Sequence, residues 1–174
     1  MSLPEPLPLE PLGSTAAAFL AVIGKKQGPL KGESETPGHE DEIGVIAWRW
    51  GVTAPTAPGS ARASGRRVYD VLRIDKYVDA SSTKLINALA VNEELRSVTL
   101  NLRKAGTEEE DFFTVKLERA RVVGSELRSS PSGGLYETVA FAYQKIQIDY
   151  HPQQRTGQRG AANSFSDELE EGDS

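Results

Sequence analysis

The feature that most constrains this chain is residues 137–150, ETVAFAYQKIQIDY, a run without Gly or Pro and rich in β-branched and aromatic side chains. It reads as one long strand. Val139, Phe141 and Tyr143 share a face, but beyond Gln144 and Lys145 the large apolar residues are Ile146, Ile148 and Tyr150, which occupy the other. Side chains alternate along a strand, so the apolar face changes sides halfway, and this demands a bulge, a bend or passage between sheets. Residues 112–123 repeat the fault: Phe113, Val115 and Leu117 give way to Ala120 and Val122 near Glu118 and Arg119. Barrels and the corners of orthogonal sandwiches bend their strands in this way. A curved, mainly β, barrel-like domain is the first expectation.

The other elements follow the same logic. Residues 17–23 read as a first buried strand, too short an apolar run to span a bilayer. Residues 43–51, IGVIAWRWG, read as a second, with Ile46, Trp48 and Trp50 on a face opposite Arg49. Two tryptophans at that spacing are expected to anchor the core, as is Tyr150 at the end of the opening stretch. Residues 68–77 and 97–104 complete the strands, and residues 125–134 read as a turn-rich loop. Between these strands Leu85, Ile86, Leu89 and Ala90 recur at helical spacing after Ser81 and Ser82, predicting one short amphipathic helix with a serine cap. Residues 52–67, VTAPTAPGSARASGRR, form a loop longer than a compact hairpin needs, and it carries Arg62, Arg66 and Arg67.

The ends differ in composition from the middle. Residues 1–15 carry Pro4, Pro6, Pro8 and Pro11 and read as a disordered Pro-rich lead, residues 16–152 as the β domain, and residues 153–174 as a disordered polar and acidic tail. The net charge of -5 comes from these ends: without their seven acids and two arginines, the 25 acidic and 20 basic residues become 18 of each. A formally neutral domain offers no single-signed field to gather nucleic acid or an anionic membrane. No basic leader of the secretory type precedes the first apolar run.

Chemistry-bearing constellations do not assemble. There are no cysteines, which removes disulfides, thiolate nucleophiles and Cys-ligated metals. The histidines are His39 and His151; the His39, Glu40, Asp41, Glu42 run is acidic, but neighbours in one loop rarely converge on one ion. No phosphate-binding glycine loop or nucleophile elbow appears, so neither cofactor nor enzymatic activity is expected. A carboxylate pair for glycoside chemistry depends on spatial separation and stays open at this level.

Taken in order, the motifs resemble the Hcp family, the haemolysin-coregulated tube proteins of bacterial type VI secretion. The resemblance covers residues 17–153. It rests on Lys31-Gly32-Glu33 after the first strand, His39, Ala47-Trp48-Arg49-Trp50-Gly51, Lys76-Tyr77-Val78-Asp79 with Ser81 and Ser82, Arg103-Lys104-Ala105-Gly106, and Asp149-Tyr150-His151-Pro152. It departs in the Pro-rich lead, in Thr83 and Asp75, in the tail, and at Arg49, where a small polar residue is the family's habit. The resemblance implies a compact β-barrel of two sheets with one flanking short α-helix, similar to phage tail-tube proteins. It further implies homohexameric rings stacked into a tube inside a contractile sheath, capped by a spike protein, carrying small effectors in the lumen. Such a protein is made in the bacterial cytoplasm and leaves by type VI secretion without a signal peptide or membrane insertion. Under it, Arg49 is a candidate for the lumen, and Arg62, Arg66 and Arg67 are candidates for ring-to-ring contact. Two other readings remain: an Hcp-like secreted effector or adaptor, and a monomeric β-barrel that holds a small ligand.

Overall fold

The fault in residues 137–150 is a corner. The computed structural model describes residues 16–104, 110–152 and 160–170. In chain order its elements are β1 (Ala16–Gly24), β2 (Gly28–Pro29), β3 (Ile43–Val45), β4 (Ala47–Arg49), β5 (Val52–Thr53), β6 (Val68–Tyr69), β7 (Leu72–Tyr77), α1 (Ser82–Ala90), β8 (Leu95–Lys104), β9 (Asp111–Ser129), β10 (Leu135–Ala142), β11 (Lys145–Tyr150) and β12 (Asn163–Glu168). The long run splits at Tyr143 and Gln144 into β10 and β11, and both halves lie antiparallel on β9. Opposite that break, Arg119 of β9 takes a positive φ of 49°. The pairing register is the same on both sides of the break, Ala142 opposite Arg121 and Lys145 opposite Glu118, so both strands change the phase of their alternation at the same level of the ladder. The apolar side of each half, Val139 and Phe141 before the corner and Ile146 after it, stays buried.

The corner divides the ladder into two sheets that share β9. In sheet I the order is β12, β11, β9, β8, β1, with β2 and β3 side by side on the outer edge of β1. In sheet II it is β9, β10, β7, β4. Leu20, Val98, Leu100, Val115, Leu117 and Ile146 from sheet I face Leu72, Ile74, Val139 and Phe141 from sheet II, all nearly inaccessible. The compact barrel expected from the sequence does not close. Residues 43–49 bend at Ile46, so that β3 pairs only with β1 and β4 only with β7, and three-residue strands cannot continue a ladder across the gap. Side chains fill that flank instead. Trp48 stacks on Phe113 with ring centroids 5.8 Å apart. The Trp50 indole N–H donates to the Tyr143 hydroxyl at 2.5 Å, and that hydroxyl donates to the Asp70 carbonyl at 2.8 Å.

Two further elements depart from the sequence reading. β9 continues to Ser129 through residues expected in a loop, and only Ser130 to Gly134 turn, closed by the Ser130 N–H on the Gly134 carbonyl at 2.9 Å. β10 runs alongside and supplies its hydrogen-bond partners, so the polar residues there have no need of an apolar face. In the tail, residues 163–168 form β12 on the edge of β11, with almost every side chain exposed. A two-sided polar strand held by ladder bonds has no hydrophobic signature to read. The lead, residues 1–15, and residues 153–159 and 171–174 of the tail lie outside the described residues.

The helix docks through its polar end as well as its apolar face. Leu85 and Ala88 are buried, with Leu89 packed against the core. Ser81 takes the cap position but makes no side-chain cap bond. Its amide and hydroxyl both donate to Asp79 Oδ1, and the Ser82 hydroxyl accepts the Asp79 N–H at 2.9 Å. Beneath it lies a completely buried ion pair: Lys76 of β7 and Glu137 of β10 are cross-strand partners on the inner face. Lys76 Nζ donates to Glu137 Oε1, to Asp79 Oδ1 at 2.9 Å and to Ser82 Oγ at 3.2 Å, while Ser82 Oγ donates to Glu137 at 2.7 Å. A second buried carboxylate, Glu93 just after the helix, accepts the backbone N–H groups of Lys26 and Gln27 at 2.7 and 2.8 Å and so ties the β1–β2 turn to the helix end. Burial alone would raise the Glu93 carboxyl, but the hydrogen bonds from Gln27 and Lys26 outweigh it and hold it below the usual carboxylate range.

Two outcomes follow for stability. Replacing Lys76 by Met strands a buried carboxylate and lowers unfolding free energy by about 3–5 kcal/mol, whereas the K76M/E137L pair loses less than the sum of the single changes. Urea unfolding of the four proteins measures this, and strict additivity contradicts it. For Glu93 the folded pKa is depressed, so its contribution is complete above the unfolded value and disappears as pH falls through the folded one. E93Q is therefore less stable than the parent at pH 7, and the difference narrows progressively below about pH 4; a difference that stays constant down to pH 3 refutes the assignment.

Candidate functional site

The residues singled out in the sequence separate into buried anchors and exposed surfaces. One anchor is the Lys76, Asp79, Ser82, Glu137 cluster. The other is His39, whose imidazole is buried and stacks on Phe19 at 4.3 Å with a 7° tilt. Its two ring nitrogens lie 2.8 Å from Glu42 and 2.9 Å from Asp111. The ring thereby fastens the loop after β2 across the outer face of β1 to the start of β9. Arg103 supports the same seat: Nη1 donates to the Pro37 carbonyl at 2.6 Å, and Nε lies 3.5 Å from Asp111. Gly32 is required by close approach, because a Cβ there would come within 2.6 Å of the Glu42 carbonyl oxygen. These contacts occupy the groups that a metal would need, and among the described residues no set of three His, Asp or Glu is placed to hold an ion.

The remaining family-motif residues do not converge on one pocket. Lys31 pairs at the surface with Asp41 at 2.9 Å, and Glu33 is exposed. Lys104 lies 5.3 Å over the Phe112 ring. Asp149 accepts from Gln147 at 2.8 Å and from Ser164, which fixes β12 to β11. The Pro152 carbonyl accepts the Gly160 N–H at 3.0 Å. Gly106 lies outside the described residues. Trp48 and Trp50 are half-buried against the core. Tyr150, expected with them, is the last residue of β11 and is 42% exposed, although Phe113 opposite it is stacked on Trp48.

The exposed surfaces are of three kinds. The first is the loop after β5. β5 and β6 pair only with each other, and beyond them a Thr56–Ala63 bridge and the Ser64 N–H on the Pro55 carbonyl extend the hairpin away from the body. Arg62, Arg66 and Arg67 are exposed along it. Across a surface cleft from Arg66 and Arg67 stand Asp167, Glu168 and Glu170, with Tyr69 donating to Asp167 at its floor. Asp167, as the acceptor of that bond, raises the Tyr69 phenol above its ordinary value. The second is the far end of sheet II, where Leu127 and Leu135 on the inner face are 57–58% exposed and Tyr77, on the outer face, is 58% exposed with its ring 5.2 Å from that of Tyr136. The third is the outer face of sheet II. There Arg49 of β4 stands directly opposite Arg73 of β7, both exposed.

Sequence reasoning missed Glu137, Glu93 and Arg73. Glu137 and Lys76 occupy inward positions of otherwise apolar alternation, which was a readable signal; Arg73 becomes notable only once β4 is laid beside β7. Between the sheets the buried side chains form one contiguous hydrophobic cluster.

Residues 19–150 match the family model described as "Type VI secretion system effector, Hcp". The chain is 31% identical over 138 residues to protein hcp1 of Pseudomonas aeruginosa, covering 76% of this chain and 84% of that one. It is also 31% identical over 118 residues to the "major exported protein" of the same organism, covering 61% and 68%. The solved structure of secreted protein Hcp3 from Pseudomonas aeruginosa superposes with a TM-score of 0.68 at 26% identity, over 90% of this chain and 99% of that one. With the match running from β1 to the end of β11 and the two-sheet fold shared, the chain belongs to the Hcp family of type VI secretion.

Proposed function

We propose that this protein is a structural subunit of a type VI secretion tube, forming homohexameric rings that stack and carry small effectors through the central channel. The observation that carries this reading is the apolar end of sheet II. Leu127 and Leu135 are diagonal neighbours on the inner face at the end of sheet II, and both expose large apolar side chains; an exposed apolar patch of this kind marks a protein interface. A ring needs a heterologous contact of this kind, repeated until the rotation closes. The 52–67 hairpin supports the second level of assembly, since it projects from the body and its arginines face away from the core. A neutral domain without a catalytic constellation suits a building block.

The sheath and spike are the partners that this role requires, and export follows from it: a curated relative is named as an exported protein. No helix among the described residues is long and apolar enough to cross a membrane.

Two measurements test the reading. Light scattering is expected to give a ring mass six times that of the chain, and L127S/L135S to reduce it while leaving thermal unfolding of the subunit within about 1 kcal/mol of the parent, as for exposed positions; an unchanged mass removes that end of sheet II from the interface. Deleting residues 54–65 is expected to preserve rings but shorten tubes in electron micrographs, and tubes of unaltered length exclude the hairpin from stacking.

A further inference from the structure

Arg49 and Arg73 occupy one row of the outer face of sheet II, continued by Ala140 of β10 and Gly124 of β9. Directly opposed residues of an antiparallel pair have side chains rooted about 5 Å apart, and like charges in that position destabilise the pairing. The neighbouring groups do not relieve them. Asp75, two residues along β7, accepts from Thr138 and lies 3.4 Å from Arg128, and Glu126 stands two strands away from Asp75 on the same row as Thr138. Among the described residues neither Arg49 nor Arg73 has an acidic partner within ion-pair distance. Next to them the row carries only the small residues Ala140 and Gly124, of which Ala140 is already nearly covered. The two exposed, unpaired guanidinium groups, beside residues without bulky side chains, present up to ten N–H donors to a carboxylate-bearing segment.

We infer that this face recognises an acidic protein segment, the two arginines gripping consecutive or alternate carboxylates. The inference rests on the tube reading in one respect: if the face lines the channel, acidic passengers are the ones retained. Complementarity favours protein over nucleic acid as the occupant, because a row only two unpaired cations wide matches one or two carboxylates but is too short to follow a polyphosphate backbone.

The test uses the full chain and a fluorescein-labelled hexaglutamate peptide, followed by anisotropy between about 25 and 300 mM salt, with hexalysine and a single-stranded oligonucleotide as comparisons and light scattering in parallel. Hexaglutamate is expected to bind at low salt, R49S and R73S each to weaken it roughly threefold and the double variant roughly tenfold, with subunit assembly unchanged. Affinity undiminished in the double variant, preference for hexalysine, or oligonucleotide binding that is tighter than hexaglutamate and lost in the double variant overturns the inference. A chain that remains monomeric yet binds hexaglutamate through the two arginines supports it while refuting the tube reading.

Discussion

The shared corner of β9 and the β10–β11 run determines what the rest of the molecule can do. A continuous antiparallel pair of this length would twist into a ribbon with one apolar face, and it would need a single flat partner to cover it. Changing the phase of alternation in both strands at the same level, with the pairing register kept, turns the ribbon through the corner instead and keeps the apolar side of both halves inward. Arg119 carries the positive φ that this requires on one strand; Tyr143 and Gln144 leave the ladder on the other, although the Gln144 N–H still reaches the Glu118 carbonyl at 3.3 Å. Leu117 and Ile146 on one side of the corner and Ala120 and Phe141 on the other are all inaccessible. One strand pair thus supplies apolar surface to two sheets, and the other strands are added outward from it.

Because the bend makes two sheets from one ribbon, the opposite flank has to be closed by different means. Ile46 attempts the same turn between β3 and β4, but these strands are too short to extend the ladder, and aromatic side chains cover the opening. Elsewhere charge takes this part. Lys76 and Glu137 hold β7, β10 and the start of α1 in one register, and Glu93 joins the end of α1 to the β1–β2 turn. A buried pair of this type adds little net stability over an apolar substitute, but mispairing it is severely unfavourable. In this fold the helix is therefore specified at both ends by ionised groups and in the middle by Leu85 and Ala88.

Much of this was legible because alternation faults survive in sequence. Both corner residues, the single helix and the inward rows of β7 and β8 could be read from apolar spacing alone. The limits have physical causes. An exposed strand such as β12, or the distal part of β9, needs only a backbone partner, and no side-chain pattern reports it. Whether a curved sheet closes depends on the few residues at one flank, and the alternation of residues 43–51 gave no sign that Ile46 breaks it. Tyr150 has the parity of a core residue but is the last residue of β11 and stays exposed, and periodicity does not report where a strand ends. Lys76 and Glu137 were visible as polar residues in inward positions, and it is their register, 61 residues apart, that makes them a pair.

The same constraint governs where unsatisfied surface remains. A closed barrel hides every strand edge and leaves its outside for solvent. This open, bent pair of sheets instead ends the inner face of sheet II in exposed Leu127 and Leu135, and leaves the β5–β6 hairpin hanging from the flank that the ladder does not seal. On the tube reading these are separate contacts of different chemistry: apolar at the end of sheet II, where a lasting subunit contact gains from desolvation, and cationic on the projecting hairpin, where rings meet along their axis. The outer row of Arg49 and Arg73 belongs to neither, since it lies on the face of sheet II rather than at its end. Its charge is bound only when something acidic lies flat against the sheet, and it does not compete with the apolar contact for the same residues. Assembly and passenger binding can then vary independently in sequence, because Leu127 and Leu135 lie on one face of the sheet and Arg49 and Arg73 on the other.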